Sequence, residues 1–220
     1  LEYMREHGDY NAYGYTCQGE ITYDGVTIAC AGHNVHGDVS LASSLAYSCN
    51  TSFSNIGLQL DIERYRDTAE TLLFNSKLPC ELPYSQSSFT LESSDSSADR
   101  MMTAMGQGKT ETSPYHMALI TSAIANHGTL MRPYLVDAIT NYSGEIVENT
   151  EPEEYKKLMS EEEAEQLKSY MQEVVNYGTA SVLSGQGYTV AGKTGAAEYS
   201  SDIEKNHSWF VGFTDVDNPE

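Results

Sequence analysis

The sequence predicts an α+β domain, and three patterns predict it. Segments with apolar residues at helical spacing, bounded by capping residues, fill the middle of the chain. Strand-like alternation across Asp-Gly and Ser-Gly turns marks two hairpins. Two further strands, "GYTVAGKTGAAE" and "HSWFVGFT", come last, after the helices. With 220 residues and 40% hydrophobic content the chain fits a single domain, residues 1–220, with room for a sizeable core.

The elements follow in order. "LEYMREHG" reads as the last turns of a helix, with Arg5 and His7 at the C-terminal end of the dipole and Gly8 as the stop. Beginning inside a helix, it gives the impression of a longer chain that has been cut. "QGEITYDGVTIA" is a hairpin about Asp24-Gly25, and it brings Cys17 and Cys30, which flank it, close together. Asp38 is read as the N-cap of "VSLASSLAYS". A break at Ser48-Cys49-Asn50 precedes a second helical segment, "CNTSFSNIGLQL", and "DIERYRDTAETLLF" supplies a third. "YSQSSFTLESSDSSADR" is expected to be an exposed polar loop. Gln107-Gly108 reads as a turn before the next helix.

"TSPYHMALITSAIANHG" has Ser113 as N-cap, Pro114 in its first turn and Gly128 after its last, the usual asymmetry of helix start and stop. "PYLVDAITNYSGEIVEN" is a hairpin about Ser143-Gly144. "SEEEAEQLKSYMQEVV" opens with a capping box from Ser160 to Glu163. The final strand pair follows, and the aromatics of "HSWFVGF" are expected in the core, with His207 a hydrogen bonder at a strand end.

Composition excludes some functions. Twelve Lys and Arg against 32 Asp and Glu give a formal charge of −20, which repels a nucleic-acid backbone. There is no run of about 18 apolar residues and no signal-peptide layout at the start. Of the four cysteines, Cys17 and Cys30 suit a disulfide or plain thiols. Together with His33 and His36 they are also the residues that would hold zinc, although the spacing is not that of a zinc finger, and no metal or other cofactor is expected. Cys49 and Cys80 read as small apolar residues.

The chemistry concentrates in Ser48-Cys49-Asn50, at a helix break, and Lys193-Thr194-Gly195, on a strand. Each triplet is weak alone, but S-x-N and K-T-G together accompany a nucleophilic S-x-x-K in serine β-lactamases and penicillin-binding proteins. Their contexts, "SLASSLAYSCNTSFSNIGLQL", "MGQGKTETSPYHMALITSAIANHGTLMRPYLV", "VAGKTGAAE" and "HSWFVGFT", resemble the C-terminal portion of a class B penicillin-binding protein transpeptidase domain over residues 36–217. The resemblance implies a partial fold of that family, a helical subdomain with a few antiparallel strands of its sheet.

It also implies an activity. The family's serine attacks a D-alanyl-D-alanine stem peptide, forms an acyl-enzyme and passes the acyl group to an amine on a neighbouring strand, giving a peptidoglycan cross-link; β-lactams are bound covalently by the same serine. Carried over residue by residue, Ser48 relays a proton and Asn50 donates to the substrate amide. Lys193 holds the relay hydroxyl and attracts the substrate carboxylate, Thr194 bonds that carboxylate, Gly195 allows close approach, and the Ala196 N–H is an oxyanion donor.

Two departures stand out. Ala196 replaces the second hydroxyl usual after the glycine, so one carboxylate contact is lost. S-x-x-K occurs nowhere in the 220 residues, and the nucleophile is expected just upstream of Leu1, with a final strand and helix expected beyond Pro219. The chain is therefore read as an inactive piece of a transpeptidase whose parent is membrane-anchored and works outside the cell. It is expected to self-associate through the apolar edge of "WFVGF". The alternatives are a carboxypeptidase or a β-lactam hydrolase or sensor, and a non-catalytic interaction or zinc module of the same fold.

Overall fold

The computed structural model describes residues 1–198 and 206–219. Helix α1 (Glu2–His7) ends at Gly8, whose φ of 64° takes the left-handed turn expected of it. Arg5 on this helix donates to Glu163 at 2.6 Å and to Thr68 at 2.8 Å. A short N-terminal helix is thereby tied to two distant parts of the chain.

Four short strands follow: β1 (Tyr15–Cys17), β2 (Glu20–Tyr23), β3 (Val26–Ala29) and β4 (Gly37–Val39). Strands β2 and β3 form the expected hairpin, with Tyr23 opposite Val26 and left-handed backbone at both Asp24 and Gly25. Strand β1 pairs antiparallel with β4, so Thr16 faces Asp38. Asp38 is therefore a strand residue rather than a helix cap. Ser40 caps α2 (Leu41–Ala46) instead, in a reciprocal box with Ser43. The strand pairing took Asp38, and the capping residue two positions on served the helix.

Helices α3 (Asn50–Gln59) and α4 (Ile62–Thr71) match the second and third helical segments, the latter capped by Asp61. The serine-rich stretch is not simply an exposed loop. Ser87, Phe89 and Leu91 are buried, the two apolar residues packing with Ile62 and Ala69. Its end is helix α5 (Ser97–Ala104), capped by Ser96. Polar composition hid it, because its serines are caps and its apolar residues are few. Gly57 lets α3 approach α5: a Cβ there would lie 2.5 Å from the Ala104 Cβ.

Helix α6 (Pro114–Ala125) starts and stops as expected, its Ser113 cap accepting from the His116 N–H. Strand β5 (Thr129–Met131) pairs with β8 (Glu154–Lys157), and between them lies the expected hairpin of β6 (Ala138–Thr140) and β7 (Ile146–Asn149). Helix α7 (Glu161–Asn176) carries its capping box and turns Ala164, Met171, Val174 and Val175 inward. The main core joins α6 and α7 through Leu119, Ile120, Leu130, Leu158 and Met171.

Strands β9 (Val190–Glu198) and β10 (Asn206–Thr214) close the described fold as a long antiparallel pair, with Lys193 opposite Val211. Strand β10 differs from expectation in burial. Phe210 is 49% exposed and Trp209, Val211 and Phe213 are half-buried. Strand β9 is its one partner among the described residues, so only part of its apolar surface is covered. The outer side of β10 and helix α6 bound an open groove.

Candidate active site

The site is built from the end of α2. Its last turn closes with the Cys49 N–H donating to the Ser44 carbonyl at 2.9 Å and the Ser48 N–H to that of Leu45 at 3.1 Å. This is the two-bond C-terminal helix stop in which the residue at Ser48's place takes left-handed backbone, a role usually given to glycine. Ser48 does so with a φ of 52°. A side chain held there costs about 1 kcal/mol or more, and left-handed backbone of this kind clusters at functional sites. Helix α3 begins two residues later, so Ser48 stands at the junction of two helices.

Lys193 reaches this junction from β9. Its Nζ donates to Ser48 Oγ at 3.0 Å and to the Thr194 carbonyl at 2.6 Å. Burial lowers Lys193 to about 8, and among the described residues it has no carboxylate partner. A dry, unpaired cation beside a hydroxyl suits the capture of an incoming anion. The Asn50 amide is held by its Nδ2, which donates to the Ala29 carbonyl at 3.1 Å. The expected Ser48 and Lys193 thus meet, although 145 residues separate them, while the Asn50 amide is bonded to Ala29.

Thr194 carries the second hydroxyl of the site, and sequence reading missed its partner. Thr179 shares a 2.5 Å hydrogen bond with it, and the Thr179 N–H donates to the Ala46 carbonyl at 3.0 Å. Gly178 makes this contact possible, because a Cβ there would come within 2.2 Å of the Ala46 carbonyl oxygen. A signal was available in "YGTA", a glycine followed by a hydroxyl just past a helix end.

Gln107 is the other residue missed. Set between left-handed Gly106 and Gly108, it donates to the Ala196 carbonyl at 3.0 Å. In an antiparallel ladder a residue's N–H and C=O point to the same side. The Ala196 carbonyl accepts from Gln107, and the Ala196 N–H lies on that same side of the strand. Gly195 and Ala196 are exposed there.

Behind Ser48 lies a second cluster. Cys17, Cys30, His36 and Cys49 place all their ligand atoms within 4.8 Å of one another. The hairpin does bring Cys17 and Cys30 together, with sulfurs 3.7 Å apart. The membership differs from expectation in two residues. His33 is exposed and outside the cluster, while Cys49, read from sequence as a plain apolar residue, is fully buried within it. Left-handed backbone at Gly32 and His33 turns the chain so that His36 supplies the imidazole, and the helix stop at Ser48 turns Cys49 inward. Burial opposes ionisation of Cys17, but hydrogen bonds from Thr51, His36 and Gly19 outweigh it and bring the thiol down to about 6. Cys80 lies elsewhere, half-buried.

A hydroxyl at a helix junction thus lies against a lysine-threonine-glycine strand. The chain belongs to the penicillin-binding protein transpeptidase domain family, whose model matches residues 5–220. It is 30% identical over 212 residues to Stage V sporulation protein D of Bacillus subtilis, covering 92% of this chain and 32% of that protein. Its fold matches the D,D-transpeptidase domain of a peptidoglycan glycosyltransferase from Eggerthella lenta with a TM-score of 0.84 at 26% identity, over 100% of this chain and 56% of that one. It also matches the penicillin G acyl-enzyme complex of penicillin-binding protein A from Mycobacterium tuberculosis, with a TM-score of 0.83 at 25% identity, over 100% of this chain and 50% of the other. The chain spans about a third of the length of the curated relatives it matches.

Proposed function

We propose that this chain carries the S-x-N and K-T-G portion of a peptidoglycan D,D-transpeptidase centre, one that cross-links stem peptides through an acyl-serine and is acylated by β-lactams. The observation that carries this reading is the 3.0 Å contact between Lys193 and Ser48, which joins the two triplets across the chain. Lys193 and Thr194 would seat the terminal carboxylate of the donor peptide. The Ala196 N–H would stabilise the oxyanion of the tetrahedral intermediate, and Ser48 would pass a proton between the base and the leaving amine. The attacking serine and its base lysine belong to an S-x-x-K that these 220 residues do not contain. Domain 1–220 is thus an incomplete transpeptidase domain, inactive alone, and its parent works on the outer face of the cell membrane through an anchor outside this chain.

The pairing of a strained Ser48 with a lysine lowered to about 8 also supports a second reading, in which Ser48 is itself the nucleophile. Intact mass after incubation with benzylpenicillin separates the two. The first reading expects one covalent drug mass on the full-length protein and none on the 220-residue chain. Labelling of the short chain at Ser48 would establish the second reading, and no labelling of either would defeat both. The open side of β10 supports self-association of the isolated chain, and a compact monomer in size-exclusion chromatography would oppose it.

A further inference from the structure

Strands β6 and β7 form a hairpin that stands away from the rest of the fold. It leaves the body where β5 pairs with β8, and no residue between Met131 and Glu154 is buried. Eight of the 17 large apolar side chains exposed among the described residues lie between Met131 and Val147. Leu135 is 78% exposed and Tyr142, at the turn, completely so; Val136, Ile139, Ile146 and Val147 are open as well. Single apolar residues are ordinary on a protein surface, but a contiguous group of them marks a place where something docks. The register sets Ile139 with Glu148 on one face and Thr140 with Ile146 on the other, so apolar residues are exposed on both faces of the hairpin.

The hairpin keeps its shape without a core of its own. Asn141 Oδ1 accepts from the N–H groups of Ser143 and Glu145 at 2.9 and 3.0 Å, and its Nδ2 donates to the Glu145 carboxylate at 2.7 Å. Left-handed backbone at Gly144 completes the turn. Toward the base, the Thr150 N–H donates to the Asp137 carbonyl at 2.7 Å. Arg132 pairs with Glu153 at 2.8 Å and lies 5.1 Å from the centre of the Tyr155 ring. An edge ordered in advance loses little conformational entropy when a partner settles on it.

Charge identifies the occupant. From Pro133 to Tyr155 the sequence has six carboxylates and no Lys, Arg or His. A second copy would bring like charges together, and an anionic lipid surface would be repelled. Strand β7 is exposed at all four of its residues and has β6 as its one neighbour among the described residues, so its outer edge carries unpaired backbone N–H and C=O groups. Along that edge Glu145 and Glu148 flank Ile146 and Val147. The order acid, apolar, apolar, acid is the same in both directions, so its complement is Lys or Arg, two apolar residues, then Lys or Arg, whichever way a partner strand runs. We propose that the outer edge of β7 takes an extended segment of a partner protein with that cationic and apolar pattern, added to the hairpin as a third strand. Backbone bonds supply the affinity and the four side chains the selectivity. This inference does not depend on the function proposed above.

The test uses the full-length protein and a fluorescent, acetylated peptide of Lys-Val-Val-Lys repeats, with anisotropy as the readout. Saturable binding is expected, weakening about tenfold between about 50 and about 300 mM salt. It should weaken about tenfold or more in Glu148→Lys, and likewise when Ile146→Ser and Val147→Ser are combined. Thermal unfolding and penicillin labelling are expected to be unchanged in these variants, because none of the three side chains is buried. Undiminished binding by the variants, or equal binding of a Lys-Ser-Ser-Lys peptide, would reduce the contact to the general acidity of the chain and overturn the proposal. No binding at all would overturn it too. A dimer of the full-length protein that Ile146→Ser and Val147→Ser together dissolve would give the edge to a second copy instead. Flotation with phosphatidylcholine–phosphatidylglycerol vesicles, lost in the same variant, would give it to the membrane; either result overturns the proposal. Peptide binding by a protein that penicillin never labels would support this surface and defeat the function proposed above.

Discussion

Two environments meet at Ser48-Cys49-Asn50, on opposite sides of one turn. Ser48 and Asn50 are half-buried, and Ser48 lies beside the Lys193 cation and near two coupled threonine hydroxyls. Cys49 turns the other way, into a fully buried nest of sulfur, hydroxyl and imidazole. The cleft side is sparsely bonded, so its groups remain available to a ligand. The nest side is closed, so its groups can only hold the turn. A strained backbone persists when its surroundings over-determine it, and the difference between the two sides shows where that restraint comes from.

The largest expected effect breaks the cleft and spares the nest. Lys193→Ala should slow penicillin acylation of the full-length protein by about 100-fold or more, while urea unfolding shows stability unchanged or raised, because a buried cation without a carboxylate partner has been removed. Next, Gly178→Ala should cost about 1–3 kcal/mol in the same unfolding assay, as its Cβ has no space beside the Ala46 carbonyl. It should also slow acylation by displacing Thr179 from Thr194. Thr51→Val reverses the contrast: it deprives the sulfurs of a donor and should cost about 1–2 kcal/mol, with acylation altered by less than about threefold.

The fourth test uses pH. With Lys193 lowered to about 8, the unfolded chain holds the proton more tightly than the folded one between about pH 8 and 10.5. The penalty for burying its charge is therefore present in full below pH 8 and is relieved as pH rises. Over that range the cation itself is lost. The second-order acylation rate should fall about tenfold from pH 8.5 to 9.5, although the Lys193 contribution to stability improves; a flat rate profile would remove the cation from the mechanism. The smallest effect is expected from Gln107→Ala, which frees the Ala196 carbonyl at an exposed position and should slow acylation less than about tenfold.

Local rules carried much of the fold. Ser113, Pro114 and Gly128 bounded α6, Ser160 and Glu163 opened α7, and Asp24-Gly25 turned the first hairpin, because each acts on backbone within a few residues of itself. They failed where two local signals competed or where burial came from afar. Ser40 displaced Asp38 as a cap only because β4 pairs with β1. Phe89 and Leu91 are buried in a serine-rich stretch because α4 lies over them. The aromatics of β10 are partly exposed because burial depends on what packs against a strand, which its alternation does not record.

The sequence by itself determined the family, the two triplets and which residue types could relay a proton, hold a carboxylate or ligate a metal, since these depend on side-chain chemistry and short spacing. Tertiary structure alone decided who meets whom. It set Lys193 against Ser48 across 145 residues, gave Thr194 its partner in Thr179, and exchanged His33 for Cys49 in the sulfur cluster. Those outcomes follow from the hand of the backbone at Gly32, His33 and Ser48 and from the packing of α2, α7 and β9, neither of which a linear spacing contains.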